Sequence, residues 1–278
     1  MIRISAFSDE VSPAVEEQIA YLRRVGVKWM EVRFVDGRNI TTLSEAEARA
    51  LRRRLDEAGI GVSAVASPIG KYPVDAPFGP HLELFRHTVR LAGILGTRLI
   101  RVFSFYAPEG GCIDDCRDAV VERLGRLAAE LEGTDIRMAH ENEARIFGHS
   151  AANCVALAEG VASDRMTLAY DPANFVWGEA IADNVESCWP LMASRVEHVH
   201  IKDWKLGSRD LGSLPGDGDA QIGRLFEELA RRRYDGFVTL EPHMSSGGQF
   251  GGETSPAQFD AALARVRGFC ERCGLEYE

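Results

Sequence analysis

Short runs rich in β-branched and apolar residues recur along the chain, and a stretch with helical periodicity separates each run from the next. The runs are IRISAF from Ile2, WMEVRF from Trp29, GVSAVAS from Gly61, RLIRVFS from Arg98, IRMAHE from Ile136, MTLAYD from Met166, VEHVHI from Val196 and FVTLE from Phe237. Their starts lie 27, 32, 37, 38, 30, 30 and 41 residues apart, each interval the length of one strand, one helix and two turns. The helices carry start and stop signals. SPAVEEQIAYLRRVG offers Ser12 as N-cap, Pro13 in the first turn and Gly26 past the end. LSEAEARALRRRLDEAG offers Ser44 with Glu47 as a capping box and Gly59 as the stop. Eight βα units without a break in composition predict a (β/α)8 TIM barrel, one α/β domain spanning residues 1–278. A doubly wound open sheet also alternates strand and helix, but it usually places a glycine-rich turn after its first strand, where this chain has SDEVSP.

Composition and charge narrow the partners. The chain is 45% hydrophobic and 27% charged, with a formal net charge of −10, so nucleic acid and anionic membrane surfaces gain little from its global field. The arginine runs 52–54 and 231–233 fall late in helical segments, where positive charge offsets the helix dipole, and read as solvated helix ends. No apolar stretch approaches a membrane span and MIRISAFSDE lacks a leader pattern, so a cytoplasmic protein is expected. Six scattered cysteines are then expected as free thiols, the C-x-x-C of Cys270 and Cys273 included. Self-association is left open.

In a barrel of this kind the chemistry sits at the C-terminal ends of the strands. There the fifth to eighth runs end in Glu141, Asp171, His200 and Glu241, all of them metal-ligand types. Alternation along each run places Met138, Tyr170, Ile201 and Leu240 on the opposite face, toward the helices. The same parity puts Ala139, Ala169, His198 and Thr239 one layer below the four candidates, so His198 either supports His200 from beneath or lines the pocket. Three carboxylates converging with one imidazole repel one another unless a cation sits among them. That donor set predicts one divalent ion, Mn²⁺ first, with Mg²⁺, Co²⁺ or Zn²⁺ as alternatives.

Further polar residues are expected at the mouth. Arg33, Lys71, Arg101 and Arg145 are candidate contacts for an anionic or hydroxylated substrate, and His243, two residues after Glu241, is a candidate acid/base or supporting group. Phe7, Trp177 and Trp204 offer an apolar wall for a bound ring. The last loop, SSGGQFGGETS, reads either as a mobile lid or as a phosphate-binding segment.

MAHENE, LAYDPANF, HVHIKDW and VTLEPH together resemble the motifs of the xylose isomerase-like sugar isomerase/epimerase family, and the likeness runs over essentially the whole chain. FSDEVS, SPIGK and IRVFSFY resemble members described as sugar phosphate isomerase/epimerase. The resemblance implies one divalent metal held by Glu141, Asp171, His200 and Glu241, with Glu141 and Glu241 on opposite faces of a bound sugar. One would remove the proton beside a carbonyl, through an enediolate that the metal stabilises, and the other would return it. The implied substrate is a monosaccharide or cyclitol ketone. Ketose 3-epimerases of the family carry a histidine three residues after the aspartate and an arginine six after the histidine, where this chain has Asn174 and Leu206. Asn174, Lys202 or Arg101 is therefore expected to contact substrate instead. The same enolisation also opens a dehydratase or lyase reaction on an inosose or a 3-keto-glycoside. An apurinic-site nuclease of related fold needs extra histidines after the early strands, where EVRF and SPIG have none, and a noncatalytic sugar-binding barrel is disfavoured by the four retained ligands.

Overall fold

The computed structural model describes residues 1–208, 211–248 and 251–278. All eight runs form strands: β1 (Arg3–Ala6), β2 (Trp29–Val32), β3 (Gly61–Ala66), β4 (Leu99–Val102), β5 (Arg137–Glu141), β6 (Met166–Tyr170), β7 (Val196–Ile201) and β8 (Phe237–Leu240). Each pairs in parallel with its neighbours in sequence, and β8 pairs with β1 to close the barrel. The principal helices are α1 (Val15–Val25), α2 (Glu45–Ala58), α3 (Phe78–Leu95), α4 (Arg117–Ala129), α5 (Ala151–Val161), α6 (Pro172–Glu179), α7 (Ile222–Arg231) and α8 (Pro256–Arg272). The arrangement is the predicted TIM barrel.

Alternation sorts the side chains as the sequence implies. Met138, Tyr170, Val199, Ile201, Val238 and Leu240 are buried in the apolar layer between strands and helices. Inside the barrel, Ala64, Leu99, Ala139 and Ala169 form a separate small apolar cluster. Small side chains on that side leave interior volume that polar groups fill, among them Ser5 and Ser63, whose hydroxyls hydrogen-bond at 2.7 Å. The barrel is therefore apolar on its outside and mixed within.

Helix ends follow local chemistry. Ser44 and Glu47 form the expected capping box of α2, an arrangement worth about 1 kcal/mol, and Gly59 closes the helix at φ 70°. Ser12 does not cap α1. The helix begins three residues later, with Ala14 at the cap position, while the Ser12 hydroxyl accepts from the Ala14 amide and donates to Glu17. The six cysteines are free thiols, and no helix among the described residues is long and apolar enough to cross a membrane.

Among the described residues, two short antiparallel strand pairs stand beyond the strand ends. One joins Phe34–Val35 to Arg38–Asn39 after β2, and the other joins Ser246–Gly248 to Gly251–Glu253 after β8. The second belongs to the segment read as a lid or phosphate loop, whose Gln249 and Phe250 lie outside the described residues. It is tied to the turn after β1 because the Thr254 amide donates to the Glu10 carbonyl and the Thr254 hydroxyl to the Glu10 carboxylate. Gly251 is at φ 149°, and a Cβ there would come within 2.9 Å of the Arg33 guanidinium.

Candidate metal centre and cavity

The ends of β5 to β8 bring Glu141, Asp171, His200 and Glu241 together, all buried, with one ligand atom from each within 4.8 Å of all the others. Asp171 is placed by the turn it begins. Its Oδ1 caps α6 by accepting the Asn174 amide at 3.1 Å, Pro172 occupies the first helical position, and Oδ2 is left facing the cluster. Asn142 locks this corner to β5: its side-chain amide donates to the Asp171 carbonyl at 2.8 Å and its oxygen accepts the Asp171 N–H at 2.9 Å. Asn174 then donates to Glu141 Oε1 at 3.1 Å and to the Asn142 carbonyl at 2.9 Å, so the third residue of the helix fixes the first carboxylate.

His200 is oriented from beneath. Its Nε2 lies 3.3 Å from Oε1 of Glu31, while Oε2 of Glu31 lies 2.6 Å from Nε2 of His198. With Nε2 committed to a carboxylate, Nδ1 faces the cluster, 3.3 Å from Glu141 and 3.5 Å from Glu241. Of the two places the sequence allowed His198, the structure has it below His200, fully buried, where Thr239 also meets its Nε2 at 3.1 Å. Phe7 packs edge-on against His200, with ring centroids 5.3 Å apart, and carries the Arg33 guanidinium over its face at 4.3 Å.

Buried cations balance the carboxylates. Arg33 donates to Glu241 at 2.7 Å and to Asp9 at 2.8 Å, Arg101 donates to Glu141 at 3.0 Å, and the Lys202 ammonium is 2.8 Å from Asp171 Oδ2 and 3.6 Å from Glu241. Burial pushes the Glu141 carboxyl up, but His200 and Arg101 outweigh it and hold the group at about 2. Burial likewise works against ionised Glu241, yet Lys202, His243 and Arg33 hold it well below the ordinary range. For Asp171 burial wins, pushing it up despite Lys202. A divalent cation fits this donor set. His200 Nδ1 is buried without a hydrogen-bond partner and belongs to the converging set, and Asp171 Oδ2 faces the same point with Lys202 beside it. Oxygen-rich ligation with one imidazole suits a hard or borderline ion.

Above the cluster opens a cavity of about 310 Å³, whose wall includes Arg33, Lys71, Arg101, Glu141, Asn174 and Lys202. Arg145, Trp177, Trp204, Glu241 and His243 complete the set expected from the sequence. Trp177 is 44% exposed at the mouth, and Arg145 is exposed with a left-handed backbone at φ 67°. His243, also left-handed at φ 50°, sets Nε2 3.2 Å from Glu241 and 3.3 Å from Glu10. Phe7 lies behind His200 instead of on the wall, and Leu206, 50% exposed, donates its N–H to Asp219 at the surface. Sequence reasoning missed Glu31, Asp9, Glu10 and Glu143. For Glu31 a signal existed, since it shares strand parity with Arg33.

A family model described as "Xylose isomerase-like TIM barrel" matches residues 19–268. Among solved structures, an L-ribulose 3-epimerase superposes with a TM-score of 0.75 at 18% identity, covering 98% of this chain and 96% of its own. A 3-keto-D-glucoside 4-epimerase from E. coli gives 0.72 at 18% identity, with 96% and 100% covered. A probable 3-DHS dehydratase from Bacillus anthracis gives 0.74 at 14%, with 96% and 99% covered. No curated protein matches the chain.

Proposed function

The chain belongs to the xylose isomerase-like TIM barrel family, and we propose that it is a divalent-metal-dependent isomerase or epimerase that moves a proton beside the carbonyl of a monosaccharide or cyclitol ketone. The observation that carries this reading is the convergence of Glu141, Asp171, His200 and Glu241 beneath the cavity, with His200 Nδ1 turned into the set and without a hydrogen-bond partner. When bound, the ion supplies the positive charge that acidifies a carbon next to a carbonyl.

The protein's own groups then divide the work. Glu141 and Glu241 flank His200, and each is paired with an arginine, Arg101 in one case and Arg33 in the other. This near-symmetry suits two carboxylates that exchange roles, one taking the proton and the other returning it, each transfer typically worth about 10² to 10⁴ in rate. Asn174 aims Glu141, His243 backs Glu241, and Lys202 and Arg101 lie where negative charge would develop on substrate oxygens. Trp177 and Trp204 give the cavity apolar surface against a ring.

A dehydratase or lyase on an inosose or a 3-keto-glycoside is the second reading. It is supported by Asn174 standing where ketose 3-epimerases carry histidine, and by Leu206 being turned to the surface where they carry arginine. Both readings begin with the same proton abstraction. The test is deuterium uptake: Mn²⁺-loaded protein in D₂O with ketoses, inososes and 3-keto-glycosides, followed by NMR. Label is expected beside a carbonyl, and the product distinguishes epimer, isomer and elimination. Glu141→Gln should abolish the exchange while the far-UV circular dichroism stays unchanged; undiminished exchange in that variant would remove Glu141 from its role.

A further inference from the structure

One wall of the cavity holds a pair of opposite charges that the proposed proton transfer does not use. Lys71, on the connection after β3, places its ammonium 3.0 Å from Glu143 Oε2, on the connection after β5. The side chains are 7% and 18% exposed, and both residues line the cavity. The Lys71 ammonium also lies over the Phe103 ring at 4.3 Å, a ring it shares with the Arg101 guanidinium at 4.4 Å. Trp177 and Tyr106 also line the cavity.

We propose that Lys71 and Glu143 form a subsite for hydroxyl groups of the substrate, and that it selects an uncharged polyol ketone against a phosphorylated or carboxylated one. The proposal deepens the isomerase/epimerase reading and rests on it for the ketone. A hydroxyl donates and accepts at once, so a hydroxyl pair on a sugar or cyclitol can give a hydrogen to the Glu143 carboxylate and receive one from the Lys71 ammonium. A phosphate at neutral pH is chiefly an acceptor. Seated against Lys71, it would bring a second negative group beside the Glu143 carboxylate in a largely buried site, where like charges repel strongly. Arg33 and Arg101 are engaged in the same way by Glu241 and Glu141. The lysine that by sequence suited an anion is thus matched with a carboxylate in the fold.

The probes are two pairs, D-fructose with D-fructose 6-phosphate and myo-inositol with myo-inositol 1-phosphate. They are titrated into Mn²⁺-loaded protein while tryptophan fluorescence is followed, Trp177 and Trp204 being the two tryptophans that line the cavity. The uncharged member of at least one pair should bind about tenfold tighter than its phosphate. Glu143→Gln should narrow or reverse that ratio by about tenfold, Lys71→Met should weaken the uncharged ligand, and Glu143→Asp should restore part of the discrimination. A wild-type preference for phosphate overturns the proposal, as does one abolished by Arg145→Ala, which would place the anion on the rim. An unchanged ratio in Glu143→Gln with Mn²⁺ still bound overturns it too, as does the absence of binding by either uncharged probe. The binding ratio is read without turnover. A ratio that shifts as expected in a protein showing no deuterium exchange leaves the subsite standing and removes the enolisation reading; exchange with an insensitive ratio does the reverse.

Discussion

Glu31 has both carboxylate oxygens committed to imidazoles, His198 at 2.6 Å and His200 at 3.3 Å, and it is fully buried between them. Burial alone would push its carboxyl up, but the two histidines hold it well below the ordinary range. A carboxylate behind a ligand histidine fixes both the ring's orientation and the nitrogen left for the metal. Glu31→Gln offers an amide donor where one ring needs an acceptor, so Mn²⁺ affinity should fall about 10- to 100-fold with the fold retained. Titration of free Mn²⁺ by electron paramagnetic resonance measures it, and an unchanged dissociation constant would show that Glu31 only fills space. The convergence of Glu141, Asp171, His200 and Glu241 was legible because type, strand parity and spacing coincide. Asp203 was not legible in the same way. Next to Lys202, which faces the cavity, it accepts backbone N–H groups from Trp204, Gly216, Gly218 and Ala220 and so shapes the long connection to α7. Lys202 and Asp203 look like a pair in sequence, yet just past the end of β7 one turns to the cavity and the other to the loop.

At the scale of elements, the eight strands and the capping box of α2 could be read from periodicity and punctuation, because each is a local signal several residues long. The two-residue strands at 34–35 and 38–39 carry no periodicity, and the start of α1 moved because Ser12 bonds Ala14 and Glu17 instead of capping. The connection from β3 to α3, which carries Lys71, hangs on a histidine on the helix. His81 Nε2 accepts the Gly70 N–H at 3.0 Å, and its ring stacks on Tyr72 with centroids 4.9 Å apart. Burial, aided by Arg123, pushes the imidazole down to about 4. The unfolded chain binds this proton near pH 6.5 and the folded protein only near pH 4, so between those values the unfolded state holds more protons. Stability from this group is therefore complete above pH 6.5 and is lost as the pH falls toward 4, by about 3 kcal/mol. Urea unfolding of wild type and His81→Gln across that range isolates it, since glutamine keeps an acceptor but does not titrate. Parallel pH curves for the two proteins would refute the assignment.

On the scale of the whole molecule, the proposed ligands stand at the ends of β5, β6, β7 and β8, four consecutive staves of a closed barrel, and β8 is the strand that completes closure against β1. An ion held by all four would tie nearly half the barrel together at one end. The protein nevertheless does not depend on it in the way a small zinc-folded domain does, because Lys202, Arg33 and Arg101 already lie against the same carboxylates and an apolar layer surrounds the strands. Chelation should therefore lower the melting temperature without unfolding the chain. At a free Mn²⁺ concentration about 100 times the dissociation constant, linkage gives about 2.7 kcal/mol of added stability, a rise of roughly 5 °C for a chain of this size. Calorimetry with and without chelator reads the shift directly. Asp171→Asn, which keeps an oxygen to cap α6 but removes the charge facing the cluster, should lose most of the Mn²⁺-dependent rise. A rise that survives in Asp171→Asn would mean that the ion binds elsewhere, and that the buried cluster is closed by its own lysine and arginines.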